Sequence, residues 1–185
     1  MNVDELVGQQ IGPWRIEGTL GRGGAATVYA ARHADTVQGC ALKILRDPDE
    51  EFTRRLLREG RVQAALRHPN VVAVLEVLEW EGRPVLALER VDGPDLAWLL
   101  GRCMLTVDQA HRLGTGLLLG VRAAHRAGLI HRDLKPGNVL LDPAGGTLVP
   151  RVSDFGLVKV VGGGAGHSAA TRTGQSFGTP GYMAP

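Results

Sequence analysis

The stretch His131-Arg132-Asp133-Leu134-Lys135-Pro136-Gly137-Asn138-Val139-Leu140 sets an acid, a lysine and an asparagine between positions 133 and 138, beside an apolar strand. On its own Asp133 also reads as an ordinary turn aspartate. A second acid follows in Asp154-Phe155-Gly156, after Arg151-Val152-Ser153. Upstream, the spacing predicts a long helix over Thr106–Ala127. Leu113, Leu117, Val121 and Ala124 form its stripe, and Gly128 is the expected C-cap. Leu96–Leu100 reads as a shorter helix. Before Gly93 the period changes. Val71–Leu78 and Pro84–Val91 read as strands joined at Glu81-Gly82. Residues 50–66 read as a helix with Phe52, Leu56, Glu59, Gln63 and Leu66 on one face, stopped by His68-Pro69-Asn70. Cys40–Leu45 is a strand carrying Lys43 in an apolar run, and residues 14–20 and Thr27–Ala30 flank a glycine turn, Gly21-Arg22-Gly23-Gly24. The pattern is a strand-rich lobe over 10–91 and a helical part over 92–185, with the seam near Val91-Asp92-Gly93. From Gly162 to Gly178 there is no apolar periodicity, which predicts a mobile loop of functional length.

Composition narrows the classes. The chain has 185 residues, 44% hydrophobic and 22% charged, which excludes wholesale disorder. The 21 basic and 19 acidic residues leave a net charge of +2, with no reason to invoke nucleic acid or an anionic lipid surface. Cys40 and Cys103 are the only cysteines, so a disulfide framework is excluded and a reducing, cytoplasmic setting is expected. No apolar run reaches the length of a membrane span, and the start MNVDELVGQQ lacks the basic and apolar regions of a signal peptide. The histidines show no convincing zinc spacing, and His131 is expected to pack against Phe155.

The glycine turn allows backbone N–H groups to approach phosphate oxygens without Cβ interference. Alone it is a weak signal, equally a plain tight hairpin. A dinucleotide fingerprint needs a helix after the glycines, but a strand follows; no Gly-Lys-Ser/Thr is present, so a P-loop is excluded as well. Glu59 lies on the apolar stripe of its helix. A carboxylate there needs a cation, and Lys43 is the candidate.

In their order along the chain, these motifs resemble the catalytic domain of eukaryotic-type protein kinases, of the bacterial Ser/Thr class. The resemblance implies an α+β, protein-kinase-like bilobal fold: an N-lobe antiparallel sheet with one helix and a partial helical C-lobe. It implies ATP and Mg2+ as cofactors and Ser/Thr hydroxyls of proteins as acceptors. Lys43 would hold the α- and β-phosphates, with Glu59 as its helix partner. Asp133 would accept the substrate proton, Lys135 would offset charge near the γ-phosphate, and Asn138 and Asp154 would bind the magnesium ions. Leu20, Gly21, Gly23 and Gly24 belong to the loop over the nucleotide. Val28, Ala41 and Leu140 would sandwich the adenine, and Glu89 and Val91 would offer it backbone hydrogen bonds. Arg132 would pair with a phosphorylated activation loop, for which Thr171 and Thr173 are the favoured sites among Ser168, Thr171, Thr173 and Ser176. Thr179 would lie near Asp133 and Lys135. Dimerisation for trans-autophosphorylation is a further implication.

The sequence departs from the family at Ala26, in place of the third loop glycine, and at Gln63, where an apolar residue is usual. Gly60 costs its helix about 1 kcal/mol relative to alanine. The family motif continues with a glutamate after Ala184-Pro185. On that ground the chain is expected to be a truncated kinase, weakly active or inactive by itself, with any membrane anchor beyond residue 185. The alternative is a pseudokinase-like nucleotide-binding scaffold. Retention of Lys43, Asp133 and Asp154 argues against it, and Lys135 and the Thr179 segment argue against a small-molecule acceptor.

Overall fold

Alternating apolar residues over positions 10–89 build one antiparallel sheet. The computed structural model describes residues 6–23, 26–46, 50–143 and 146–155, without the side chains at 50, 51, 52, 55 and 59. Strands β1 (Gln10–Ile11), β2 (Trp14–Arg22), β3 (Ala26–His33), β4 (Gly39–Leu45), β5 (Val74–Trp80) and β6 (Arg83–Glu89) lie in the order β1-β2-β3-β4-β6-β5. Successive side chains point to opposite faces, so each face gathers its own core. Trp14, Ile16, Tyr29, Ala31, Cys40, Leu42, Val85 and Ala87 pack on one face. Leu45, Val74, Leu86 and Leu88 pack on the other, against Leu56 of helix α1 (Glu50–Ala65). Ala41 and Lys43 share the parity of Leu45 and therefore this second face. Gly60 is buried here. A Cβ on it would sit 3.1 Å from Val77 and 3.2 Å from Leu86, so the residue that weakens the helix also lets it approach the sheet. Gln63 is buried despite its amide.

The β5–β6 turn falls at Glu81-Gly82, both with positive φ (50° and 72°), the backbone twist that a two-residue hairpin needs. Two strand limits differ from the sequence reading. Residues 71 and 72 do not join β5; Val71 bridges Val152 in parallel, and the Val72 amide donates to the Val152 carbonyl at 2.9 Å. Strand β6 ends at Glu89, before Val91. The short β1 was not anticipated, being too brief to show a period.

Helix α2 (Leu96–Leu100) is capped by Asp95, whose carboxylate accepts from the Trp98 amide at 2.7 Å. Helix α3 (Val107–Arg126) starts with a capping box between Thr106 and Gln109. Its C-cap is Ala127, one residue before the expected Gly128, which follows it with a positive φ of 77°. Strands β7 (Val139–Asp142) and β8 (Val149–Val152) form a separate hairpin. Leu113 and Ala124 of the expected stripe are buried, but the tightest contacts of α3 are made by Gly116 and Gly120. A Cβ on Gly116 would lie 2.6 Å from Pro150, and one on Gly120 would overlap the Asn70 carbonyl. Asn70 in turn donates its side-chain amide to the Pro150 carbonyl and accepts from the Val152 amide, both at 2.9 Å. The 68–72 turn is thereby clamped between α3 and β8. Among the described residues no helix is long and apolar enough to cross a membrane.

This seam makes a test with an internal control. Gly120→Ala is expected to destabilise the fold by about 1–3 kcal/mol through overpacking against backbone. Gly114→Ala, where a Cβ meets nothing within 4 Å, is expected to stabilise by up to about 1 kcal/mol through helix propensity. Urea unfolding of both variants measures the opposite signs.

Candidate active site

Four polar side chains, those of His131, Asp133, Asn138 and Ser153, are buried together between α3 and the β7–β8 hairpin. Such groups persist only when paired. Asn138 ends a 3-10 turn over Pro136–Asn138, closed by its amide on the Lys135 carbonyl at 2.9 Å. Its side-chain nitrogen donates to the Asp133 carbonyl at 2.8 Å and to the Asp133 carboxylate at 3.1 Å. Its own carbonyl accepts from the Ser153 amide at 2.9 Å and the Ser153 hydroxyl at 3.1 Å. His131 Nε2 lies 2.8 Å from the Ser153 carbonyl, which can only accept, and His131 Nδ1 accepts from the Asp133 amide at 3.3 Å. The network therefore assigns a neutral imidazole with its proton on Nε2. Burial pushes the His131 pKa below 6.5, outweighing the Ser153 carbonyl that favours the charged form. The ring packs against Phe155, as expected from sequence, with centroids 4.8 Å apart and planes tilted by 52°.

Two ammonium groups meet two carboxylates at this cluster. Lys43 Nζ lies 2.7 Å from Asp154 Oδ1, and Lys135 Nζ lies 2.7 Å from Asp133 Oδ2. Lys43, with a side chain 12% exposed, reaches across from β4 to the segment that follows β8. Arg132 and Asp154 both have positive φ, 64° and 63°, in a region non-glycine residues seldom adopt. Such outliers persist only where surrounding bonds over-determine them, and both sit beside this network. Lys43, Asp133, Lys135, Asn138 and Asp154 thus fall on one connected path, Lys43–Asp154, Ser153–Asn138, Asn138–Asp133, Asp133–Lys135. With its nitrogen engaged by Asp133, Asn138 has its amide oxygen as the atom to offer a cation, and its backbone carbonyl is bonded to the residue before Asp154. Among the described residues no group of three or more His, Cys, Asp or Glu could hold a metal. Two oxygen ligands suit magnesium, which keeps waters and takes the remainder from substrate phosphates.

The other sequence-predicted residues take these places. Leu20 is half exposed on β2, Gly21 pairs with Val28 on β3, and the Gly23 amide donates to the Ala26 carbonyl at 2.9 Å. Val28 also pairs with Lys43 across β3 and β4. Ala41, Val91 and Leu140 are half-buried against the cluster that contains Leu88, so residues from the sheet, the linker and β7 meet on one wall. The Glu89 amide is taken by the Ala73 carbonyl at 2.8 Å, so any adenine contact at Glu89 falls to its carbonyl. The linker after it runs along β7. Asp95 bridges Leu140, the Leu141 amide donates to the Pro94 carbonyl at 2.8 Å, and a Cβ on Gly93 would overlap the Leu141 carbonyl. The side chain of Glu59, together with Gly24, Thr171, Thr173, Thr179 and the expected loop over 162–178, lies outside the described residues. Sequence reading missed three contributors: Ser153, Asn70 and Arg151. Arg151 donates from one nitrogen to both Glu89 carboxylate oxygens at 2.8 Å. Its signal was a charged residue inside a short alternating strand.

A two-lobed arrangement with a lysine–carboxylate cluster at the seam defines the class of fold, and comparison with known proteins gives its family. The protein kinase domain model matches residues 14–185. The serine/threonine-protein kinase PknJ of Mycobacterium tuberculosis is 39% identical over 176 residues, covering 93% of this chain and 29% of that protein. The serine/threonine-protein kinase pkn3 of Myxococcus xanthus is 36% identical over 191 residues, covering 100% of this chain and 35% of that protein. The crystal structure of the Mycobacterium tuberculosis PknI kinase domain superposes with a TM-score of 0.69 at 30% identity, covering 82% of this chain and 62% of that one. The chain belongs to the protein kinase family and has its bilobal fold. It spans about a third of the length of the curated relatives it matches.

The neutral His131 carries a pH signature. Below pH 6.5 the unfolded chain takes up a proton at this histidine that the folded chain resists, so its contribution to stability is full above that pH and is lost as pH falls toward the folded pKa. The stability gap between the wild type and His131→Phe is expected to narrow on going from about pH 7.5 to about pH 5.5. Urea titrations at each pH measure it, and parallel pH profiles would remove His131 from the account.

Proposed function

We propose that this chain forms the nucleotide site and catalytic centre of an ATP-dependent serine/threonine protein kinase, which transfers the γ-phosphate of ATP to Ser or Thr hydroxyls of proteins. The observation that carries the reading is the single path joining Lys43, Asp154, Asn138, Asp133 and Lys135. Residues 10–91 form the lobe over the nucleotide and residues 92–185 the lobe that carries the acceptor side, in this reading. Asp133 takes the acceptor hydroxyl proton on its carboxylate. Asn138 holds that carboxylate by the loop backbone and side chain, and Lys135 offsets negative charge beside it. Lys43 turns from Asp154 to the phosphates when a nucleotide enters. Asn138 Oδ1 and Asp154 would hold magnesium, which neutralises phosphate charge when bound. Glu59 completes the pairing of Lys43, and Leu20, Gly21, Gly23, Gly24, Val28, Ala41, Glu89, Val91 and Leu140 enclose the nucleotide. Little covalent work falls to the protein, so positioning and charge carry the rate. Thr171 and Thr173 are the proposed regulatory phosphorylation sites, with dimerisation as the route to phosphorylation in trans. A cytoplasmic setting is supported by the free thiols of Cys40 and Cys103.

The test is phosphotransfer from labelled ATP to a serine- and threonine-bearing protein, together with nucleotide binding, in the complete natural polypeptide. Asp133→Asn is expected to keep ATP binding and lose about 10²–10⁴ in kcat. Lys43→Met and Asp154→Asn are expected to weaken binding of Mg-ATP. Wild-type binding without any transfer would favour the non-catalytic scaffold instead.

A further inference from the structure

Arg151 lies outside the cluster just described, yet it meets two carboxylates at once. Its side chain is 18% exposed and faces two carboxylates from different elements. Nη1 donates to both oxygens of Glu89, at the end of β6, at 2.8 Å each. Nε lies 2.7 Å from Asp142 Oδ2, at the end of β7, as a charge contact without hydrogen-bond alignment. Glu89 is held from a third side, since the Ala73 amide approaches its carboxylate at 3.4 Å while the Glu89 amide donates to the Ala73 carbonyl. Arg151 also sits directly across the hairpin from Leu140. One guanidinium therefore connects the first residue of the linker to the hairpin that presents Leu140, the residue that shares a wall with Ala41 and Val91.

This geometry matters for anything flat held between the lobes. Ala41 from the sheet, Val91 from the linker and Leu140 from β7 all pack against the same cluster, so linker and hairpin border one space. Gly93 packs on the Leu141 carbonyl, and backbone hydrogen bonding between linker and β7 starts only at Pro94, through the Leu141 amide and the Asp95–Leu140 bridge. Between Glu89 and Gly93 no backbone hydrogen bond is described between the linker and the hairpin, and the Arg151–Glu89 pair spans that interval. Two acids on one arginine also make the clamp difficult to replace. Loss of the guanidinium leaves two half-buried carboxylates facing each other without a cation, which favours separation of linker and hairpin.

We propose that Arg151 is a positioning residue of the nucleotide site, clamping Glu89 to the β7–β8 hairpin and so fixing the spacing between the linker and Leu140 that an adenine ring enters. The inference rests on the nucleotide-binding reading above. It concerns the base and not the phosphates, because Arg151 touches neither Lys43 nor Asp154.

The test measures affinity of the complete natural polypeptide for ATP and for adenosine, each with and without Mg2+, at a temperature where every variant is folded by circular dichroism. Arg151→Met and Glu89→Gln are each expected to raise the Kd for both ligands about tenfold, a loss of about 1.4 kcal/mol. The factor by which Mg2+ tightens ATP binding is expected to stay as in the wild type, which general loosening of the fold would not spare. Arg151→Lys, which keeps a cation for Glu89 but cannot also reach Asp142, is expected to fall between. The double variant is expected to cost less than the sum of the single changes. Where Arg151→Met fails to fold, Glu89→Gln and Arg151→Lys carry the same comparison. Wild-type affinity for adenosine in these variants would overturn the clamp while leaving the kinase reading intact. A wild-type protein that binds neither ligand would overturn both.

Discussion

The side chain of Asn138 sets the geometry of everything around it. It is buried, and its bonds close the 133–138 loop at the end of the β7–β8 hairpin. Its side-chain nitrogen donates to the backbone and carboxylate of Asp133, while the backbone carbonyl of the same residue accepts from Ser153, the residue before Asp154. Leaving any of these polar groups unpaired in the interior would cost about 1–3 kcal/mol, so the loop and the strand cannot drift apart cheaply. His131 closes the circuit by joining the Ser153 carbonyl to the Asp133 amide. The positive φ values at Arg132 and Asp154 become intelligible on this basis. Their backbones are bent to serve bonds already fixed on either side.

A second constraint carries that geometry outward. Asn70 bonds Pro150 and Val152, and Val72 bonds Val152 from the other direction. The turn that ends α1 is thus part of the same rigid body as β8. Gly116 and Gly120 bring α3 against it at backbone distance. A displacement of α1 relative to β8 would have to break this set of bonds or pivot ahead of residue 68. The helix that carries Glu59 is therefore anchored at its C-terminal end, close to the strand that leads into Asp154.

Much of this was legible in the sequence, for identifiable reasons. The elements follow from local period, and the residues that cluster at the seam stand inside short motifs whose spacing is local. Asp133, Lys135 and Asn138 are close in space because they are close in sequence. Lys43 and Asp154 were connected only through resemblance to a family, since no local rule joins residues so far apart. What stayed hidden was nonlocal and made by ordinary residues. Gly116 and Gly120 show their use only where Asn70 and Pro150 lie against them. Arg151 shows its use only where Glu89 and Asp142 lie against it. Strand limits at residues 71–73 and 90–91 were misjudged because apolar residues there serve a bridge and a linker instead of the sheet.

The charge arrangement explains why so many ionisable groups can share this seam. A lone half-buried ammonium or carboxylate is costly, and within each of the pairs Lys43–Asp154 and Lys135–Asp133 the two charges neutralise one another. On the kinase reading proposed above, each pair contains one partner for a phosphate and one for a cation or a proton. A magnesium nucleotide brings both signs together, so it can take up the lysine and the acid in one exchange and leave no charge stranded. A free phosphate ester would release Asp154 from Lys43 without offering that acid a cation. A free cation would release Lys43 without offering it an anion. On that reading the seam suits a ligand that is itself an ion pair, because such a ligand replaces both partners of each contact at once.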